Sequence, residues 1–247
     1  MMQFSIRLGV ACLVFCVSAT ACFAAAQQPD ILYLNRCTAG CTIHFGADNA
    51  VMGQSTLVTG TRTVAAFPGT DAIFDQTAAC VRHVFLPFNI HVVTTNPGSA
   101  PRREMMLTTT GGTLDANYSG LGAITTYDGN PHDNVIGFVF ATTIGSADVN
   151  ALCQTTAQTV AFLYGLEYVV NHCVDIEDSS IGCGEKSFAN FDSTCDGTLF
   201  SGNPGHCLLG NTTQNSYATL LSVAGASDFI LANSFEGFEV PHAGPSP

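Results

Sequence analysis

The chain of 247 residues is 47% hydrophobic and only 11% charged, which excludes a disordered, charge-solvated polypeptide and suits one large domain or two small ones. Seven basic residues against nineteen acidic ones leave a net charge of −12, and Lys186 is the single lysine. Without clustered cations, neither nucleic acid nor an anionic membrane surface is an expected partner.

Residues 1–7 carry one cation, residues 8–23 are almost wholly apolar, and Ala24-Ala25-Ala26 precede Gln27-Gln28. That is the plan of a secretory signal peptide over residues 1–26. The apolar run is short of the ~20 residues of a membrane span, and no later stretch approaches that length, so no transmembrane span is expected. Ala19-Thr20-Ala21 lacks the large aliphatic residue that lipid attachment at Cys22 calls for. The expected location is secreted or periplasmic, with surface association open.

Of the eleven cysteines, Cys12, Cys16 and Cys22 leave with the signal. Cys37, Cys41, Cys80, Cys153, Cys173, Cys183, Cys195 and Cys207 remain, an even set that reads as four disulfides in an oxidising compartment. Eight cysteines admit 105 pairings, of which spacing favours Cys37–Cys41, Cys173–Cys183 and Cys195–Cys207, leaving Cys80 to reach Cys153. No CxxC pair occurs after the signal, so structural zinc is the weaker use of these thiols.

Ile31-Leu32-Tyr33-Leu34 reads as a strand, and residues 42–70, rich in Thr, Gly and β-branched residues, as strand and loop. Residues 77–88 place Cys80, Val81, Val84, Phe85 and Phe88 at helical spacing, with Pro87 marking the end. Residues 90–95 and 103–109 read as strands, and glycines at 111, 112, 120 and 122 flank a loop-like middle. Residues 135–141 are apolar on both faces and therefore an interior strand.

Ser146 or Asp148 can cap a helix whose stripe is Val149, Leu152, Cys153, Thr156, Val160, Leu163 and Tyr164, stopped by Gly165. Residues 166–210 form a disulfide-held irregular region. Residues 212–224 give a last helix, capped by Asn211 or Thr212, with Tyr217, Leu220, Leu221 and Ala224 inward. The tail, residues 227–247, reads as flexible, and its stretch 229–239 vaguely resembles C-terminal ends of some exported gammaproteobacterial proteins. The order of elements predicts an α/β (α+β) fold with a mixed sheet in residues 27–226.

The segment Gln158-Thr159-Val160-Ala161-Phe162-Leu163-Tyr164-Gly165-Leu166-Glu167-Tyr168 resembles HExxHxxGxxH, the zinc motif of metzincin-like metalloproteases of the zincin superfamily. Cys173-Val174-Asp175-Ile176-Glu177-Asp178-Ser179, with Gly182-Cys183-Gly184, looks like the C-x-D-P-M-T-Y segment of certain secreted bacterial zincin-like proteins. Such proteins are also similar at Cys80-Val81-Arg82, Pro87-Phe88-Asn89-Ile90 and Thr213-Gln214-Asn215-Ser216. The resemblance implies a single zincin-like domain with an active-site-type helix and a disulfide-rich C-terminal part.

The chemistry does not transfer. Gln158, Phe162 and Tyr168 stand at the three ligand positions, Thr159 at the general base, and Glu177 where a methionine is expected. Phenylalanine has no lone pair for zinc, glutamine is a poor ligand beside imidazole, and a phenol must lose a proton with pKa near ~10. Threonine is no general base at neutral pH. No cofactor is expected, zinc entering only through non-standard ligands.

The leading expectation is a non-catalytic pseudo-metalloprotease acting by binding an unknown protein or peptide. An active secreted metallopeptidase with unusual ligands and a surface-attached structural or adhesive protein are the rivals. His132, Asp133 and His172 are candidates for a relocated metal centre, set against exposed loop histidines. Asp175, Glu177 and Asp178 could bind calcium but match no calcium-loop pattern, and read better as a solvated acidic loop.

Overall fold

The first strand, β1 (Asp30–Asn35), pairs in parallel with a neighbour on each side and so lies inside a sheet. The computed structural model describes residues 28–180, 183–199 and 201–227; the expected signal peptide and, apart from Ser227, the expected tail lie outside the described residues. Three short strands come next, β2 (Cys41–Phe45), β3 (Gln54–Ser55) and β4 (Arg62–Val64), in a small sheet of order β3-β2-β4. They lead to helix α1 (Asp71–Phe85), strands β5 (Ile90–Val93) and β6 (Arg103–Thr108), two 3-10 turns, β7 (Ala123–Ile124) and β8 (Ile136–Phe140). A single turn, α2 (Ala141–Ile144), leads into α3 (Val149–Phe162). Strands β9 (Val169–Val170), β10 (Ser193–Cys195) and β11 (Thr213–Gln214) make a third sheet before α4 (Ser216–Ala224).

The main sheet has the order β5-β1-β6-β8-β7, every pairing parallel except β7 against β8. All of β6 and β8 is buried, as expected for strands covered on both faces. Alternate residues divide between two cores. Met105, Leu107 and Val139 join α1 and α3, while Met106, Phe138 and Phe140 pack toward Ile43, Val58 and Val64. The result is a mixed α/β architecture of the α+β kind.

Two helices begin elsewhere than their apolar stripes suggest. Helix α1 starts at Asp71, because Thr70 Oγ1 accepts from Ile73 N at 3.3 Å and Phe74 already belongs to the buried face. Helix α4 starts at Ser216, with Asn215 Oδ1 accepting from Ala218 N at 2.9 Å. The preceding Thr213 and Gln214 are held in β11 by Thr194 and Ser193, which takes them out of the expected last helix. Residues 94–95, 109, 135 and 141 likewise lie outside the strands expected to contain them.

Four disulfides join Cys37 to Cys41, Cys80 to Cys153, Cys173 to Cys183 and Cys195 to Cys207, the pairing that spacing favours. Cys80 lies on α1 and Cys153 on α3, with Cα atoms 5.9 Å apart, so this bond clamps the two helices on one face of the sheet. Among the described residues no helix is long and apolar enough to cross a membrane.

Arg103, 2% exposed, holds the lower ends of the strands together. Its guanidinium pairs with Asp30 at the start of β1 and, at 2.6 Å, with Asp133 before β8. It lies 3.9 Å from the ring centroid of Tyr164, just past α3. Removing a buried cation from such a set leaves carboxylates without their partner, so Arg103→Leu is expected to cost about 3–5 kcal/mol in urea unfolding. Joint Cys80→Ala and Cys153→Ala replacement opens a loop of sequence separation 73. It is expected to cost about 4 kcal/mol in the same measurement.

Candidate functional site

Helix α3 is capped by Asp148, whose Oδ1 accepts from Ala151 N at 3.0 Å. Leu152, Cys153, Thr156 and Val160 are buried as the stripe predicts, and Ala157, Thr159, Ala161 and Phe162 are buried as well. The helix is therefore covered on two flanks, by the sheet and by the C-terminal part. The chain leaves it through Gly165 at φ +82°. A Cβ there would sit 2.9 Å from the Gly129 carbonyl oxygen, so glycine is required both by the backbone angle and by the close approach.

That reversal brings Tyr168 back against Phe162, with ring centroids 4.9 Å apart at 83°. Tyr127 closes on the other side of Phe162 at 5.6 Å and 56°. Gln158, Thr159, Phe162 and Tyr168, the four motif positions, all line one cleft of about 330 Å³. Its opposite wall is residues 121–125 with β7, and Leu121 and Leu199 form an exposed apolar rim. Because β7 is the last strand of the main sheet, its outer edge has no strand partner among the described residues. A larger cavity of about 530 Å³ lies between the end of α1 and residues 185–188, and none of the motif positions lines it.

The polar atoms at the motif positions are already engaged. Gln158 Nε2 donates to the Ile176 carbonyl at 3.1 Å, and Thr159 Oγ1 donates to the Thr155 carbonyl of its own helix at 2.7 Å. Burial pushes the Tyr168 phenol up to about 12, with the negative charges of Glu177 and Asp196 adding to the shift. A phenol held neutral is a poor zinc ligand, Phe162 offers no donor, and no base stands at 159. The residues present do not fit a zinc-bound water.

Below and beside the cleft the acidic residues are arranged differently from a solvated loop. Asp175, Glu177 and Asp178 are all buried, contrary to expectation. Backbone amides explain two of them. Asp175 Oδ1 accepts from Glu177 N at 3.0 Å; Asp178 accepts from His172 N at 2.9 Å and Ser180 N at 2.8 Å. The Lys186 ammonium is buried with them and donates to the Asp178 carbonyl. Glu177 is the exception, since neither carboxyl oxygen has a hydrogen-bond partner among the described residues. Burial, reinforced by Asp175, pushes its pKa well above the ordinary glutamate value. Glu167, also buried, is bonded at one oxygen: its Oε2 accepts from Tyr127 OH at 2.9 Å and from Leu208 N at 2.8 Å, while Oε1 has no hydrogen-bond partner among the described residues.

The relocated centre is not assembled. His132 Nε2 lies 2.9 Å from Asp128, Asp133 serves Arg103, and the His172 ring packs 4.3 Å from that of Phe191. Glu167, Cys195 and Cys207 form the one group of three metal-ligating side chains within 4.8 Å among the described residues. Its two sulfurs are joined in a disulfide and offer no thiolate.

Tyr127, the β7 wall and Leu199 are the cleft residues that the sequence pattern leaves unassigned. The β-branched run Ile124-Thr125-Thr126 before Tyr127 is the only local signal, and it is overshadowed by the glycines at 120 and 122. Compared with protein-family models, curated proteins and solved structures, the chain has no significant match in any of the three.

Glu177 sets a pH dependence. A carboxyl with a native pKa above its unfolded value favours the native state fully at low pH and loses that stabilisation as pH rises through the native pKa. Glu177→Gln is therefore expected to flatten the fall in stability above pH ~4.3, a fall of up to about 1.4 kcal/mol per pH unit. Urea midpoints of both proteins across pH 4–8 check this; parallel profiles contradict it.

Proposed function

We propose that this is an exported, disulfide-stapled protein with a zincin-like fold, without hydrolytic chemistry, that binds an extended peptide or protein segment in the cleft between α3 and β7. The observation that supports it most directly is the convergence of Gln158, Thr159, Phe162 and Tyr168 on a single cleft. Gln158 and Phe162 share a face of any helix, one turn apart, and the reversal at Gly165 adds Tyr168 to that face, a course compatible with the metzincin motif. Ile176 lies against the same helix through the Gln158 amide, and the next residue is Glu177, which stands where the resemblance expects a methionine.

Binding without catalysis is a consequence of the side chains themselves. The cleft has apolar and aromatic walls, and the Gln158 amide nitrogen and Thr159 hydroxyl within it are already bonded to the protein. Beside it, the outer edge of β7 carries main-chain groups that an added strand can pair with. Export is supported by the four disulfides, which persist in oxidising compartments.

The decisive experiment restores the motif. The combined variant Gln158→His, Thr159→Glu, Phe162→His and Tyr168→His is expected to bind zinc stoichiometrically by elemental analysis, while the unaltered protein holds none after dialysis. Stoichiometric zinc in the unaltered protein, together with peptide cleavage that a chelator abolishes, would overturn the non-catalytic reading.

A further inference from the structure

We propose that Asn117 accepts an N-linked oligosaccharide, from a transferase that reads the acid at Asp115 as well as the hydroxyl at Ser119. It rests on the reading of the chain as exported, because such transfer acts on chains that have crossed a membrane. An asparagine followed two residues later by serine or threonine, with no proline between, is the acceptor pattern of an exported chain and predicts a surface loop. The sequence holds two such triplets, Asn117-Tyr118-Ser119 and Asn211-Thr212-Thr213.

The fold presents the first of them outward. Two 3-10 turns follow each other here, Gly111–Thr113 and Ala116–Tyr118, and both are held from the inside. Leu114 is buried, its carbonyl accepts from Arg62 Nε at 2.9 Å, and Tyr118 packs against the same core. A Cβ at Gly111 would meet the Tyr118 carbonyl oxygen at 2.2 Å, so the two turns lie back to back with no room for a side chain between them. With Leu114 and Tyr118 anchored inward, Ala116, Asn117 and Ser119 are exposed. Asp115 Oδ1 accepts from Asn117 N at 2.9 Å, a turn that sets the backbone and leaves the Asn117 amide group without a hydrogen bond among the described residues.

The second triplet is exposed too but is tied down. The Asn211 carbonyl accepts from Cys207 N at 2.7 Å beside the Cys195–Cys207 bond, and Thr213 is paired with Thr194 between β10 and β11. A transferase has to fit the whole triplet into its own site, which a surface turn allows and a residue held in a sheet resists. Charge separates the two as well. Asp115 stands two residues before Asn117, where Leu209 stands before Asn211, and its Oδ2 makes no hydrogen bond among the described residues. That oxygen is open to a cation of the transferase.

The step is a group transfer from an oligosaccharide carried on a lipid pyrophosphate. Asn117 Nδ2 bonds to the anomeric carbon, and the bond from that carbon to the pyrophosphate oxygen breaks. The lipid pyrophosphate leaves with the electron pair, and one amide proton passes to a base of the transferase.

Intact-mass analysis and peptide mapping of the exported protein, recovered from its own cells, test this. The expected chain lacks residues 1–26 and carries the mass of at least one hexosamine on Asn117, with Asn211 bare. Asn117→Gln and Ser119→Ala, made in the same cells, are each expected to abolish the increment. Asp115→Ala is expected to lower its occupancy about tenfold, the worth of one charge-assisted hydrogen bond. A processed chain that is bare at Asn117 overturns the proposal and leaves export intact, whereas a chain that retains residues 1–26 overturns both. Undiminished occupancy in Asp115→Ala overturns the part assigned to the acid. Mapping of the unaltered protein decides whether Asn117 is the acceptor even if a variant fails to fold.

Discussion

One guanidinium connects the parts of the molecule that must agree for the cleft to exist. Arg103 begins β6, its partners Asp30 and Asp133 lie at the start of β1 and just before β8, and its flat face rests on Tyr164 after α3. Three parallel strands are thereby fixed at the same end, and the exit of the helix is fixed against them. Next to it, Arg102 and Glu104 make a second buried pair at 2.8 Å, with Asn35 Nδ2 donating to Glu104 at 2.7 Å. Buried pairs of this kind gain little net stability but penalise every arrangement that separates them. In a chain with only seven basic residues, two adjacent ones are committed to register.

That register produces a helix held on two sides and a reversal with no slack. The Cys80–Cys153 bond ties α3 to α1, and the sheet supports it from below. Gly165 then turns the chain past Gly129 so closely that no side chain fits. Tyr168 has one place to go, across Phe162. The aromatic corner is thus a product of backbone constraints acting upstream of it, and its angles owe little to the rings' own weak preferences, which are worth about 1 kcal/mol per pair.

Part of this is legible in the sequence, and the rest is hidden for identifiable reasons. Helix α3 is readable because its cap, its apolar spacing and its stop all lie within about twenty residues and agree with one another. The disulfides are readable because three of them close short loops, which leaves one long pairing to infer. Strand β7 is not readable: two residues make no pattern, and their conformation is imposed by Val139 and Phe138 across the ladder. The first turns of α1 and α4 escape the apolar periodicity because the caps that start them, Thr70 and Asn215, are polar and stand apart from the stripe. Burial of Asp175, Glu177 and Asp178 is invisible locally, since an acidic run is ordinarily solvated and the partner that draws them inward, Lys186, arrives from another part of the loop.

The tyrosines that shape the cleft have a further consequence. The chain contains six tyrosines and no tryptophan, and Tyr127 and Tyr168 both face the cleft. Emission and the long-wavelength aromatic absorption therefore come chiefly from phenols, a third of which border the cleft, with no indole to mask them. The protein carries its own chromophores in the cleft wall. Difference absorbance or near-ultraviolet circular dichroism can track that surface directly in the unlabelled molecule.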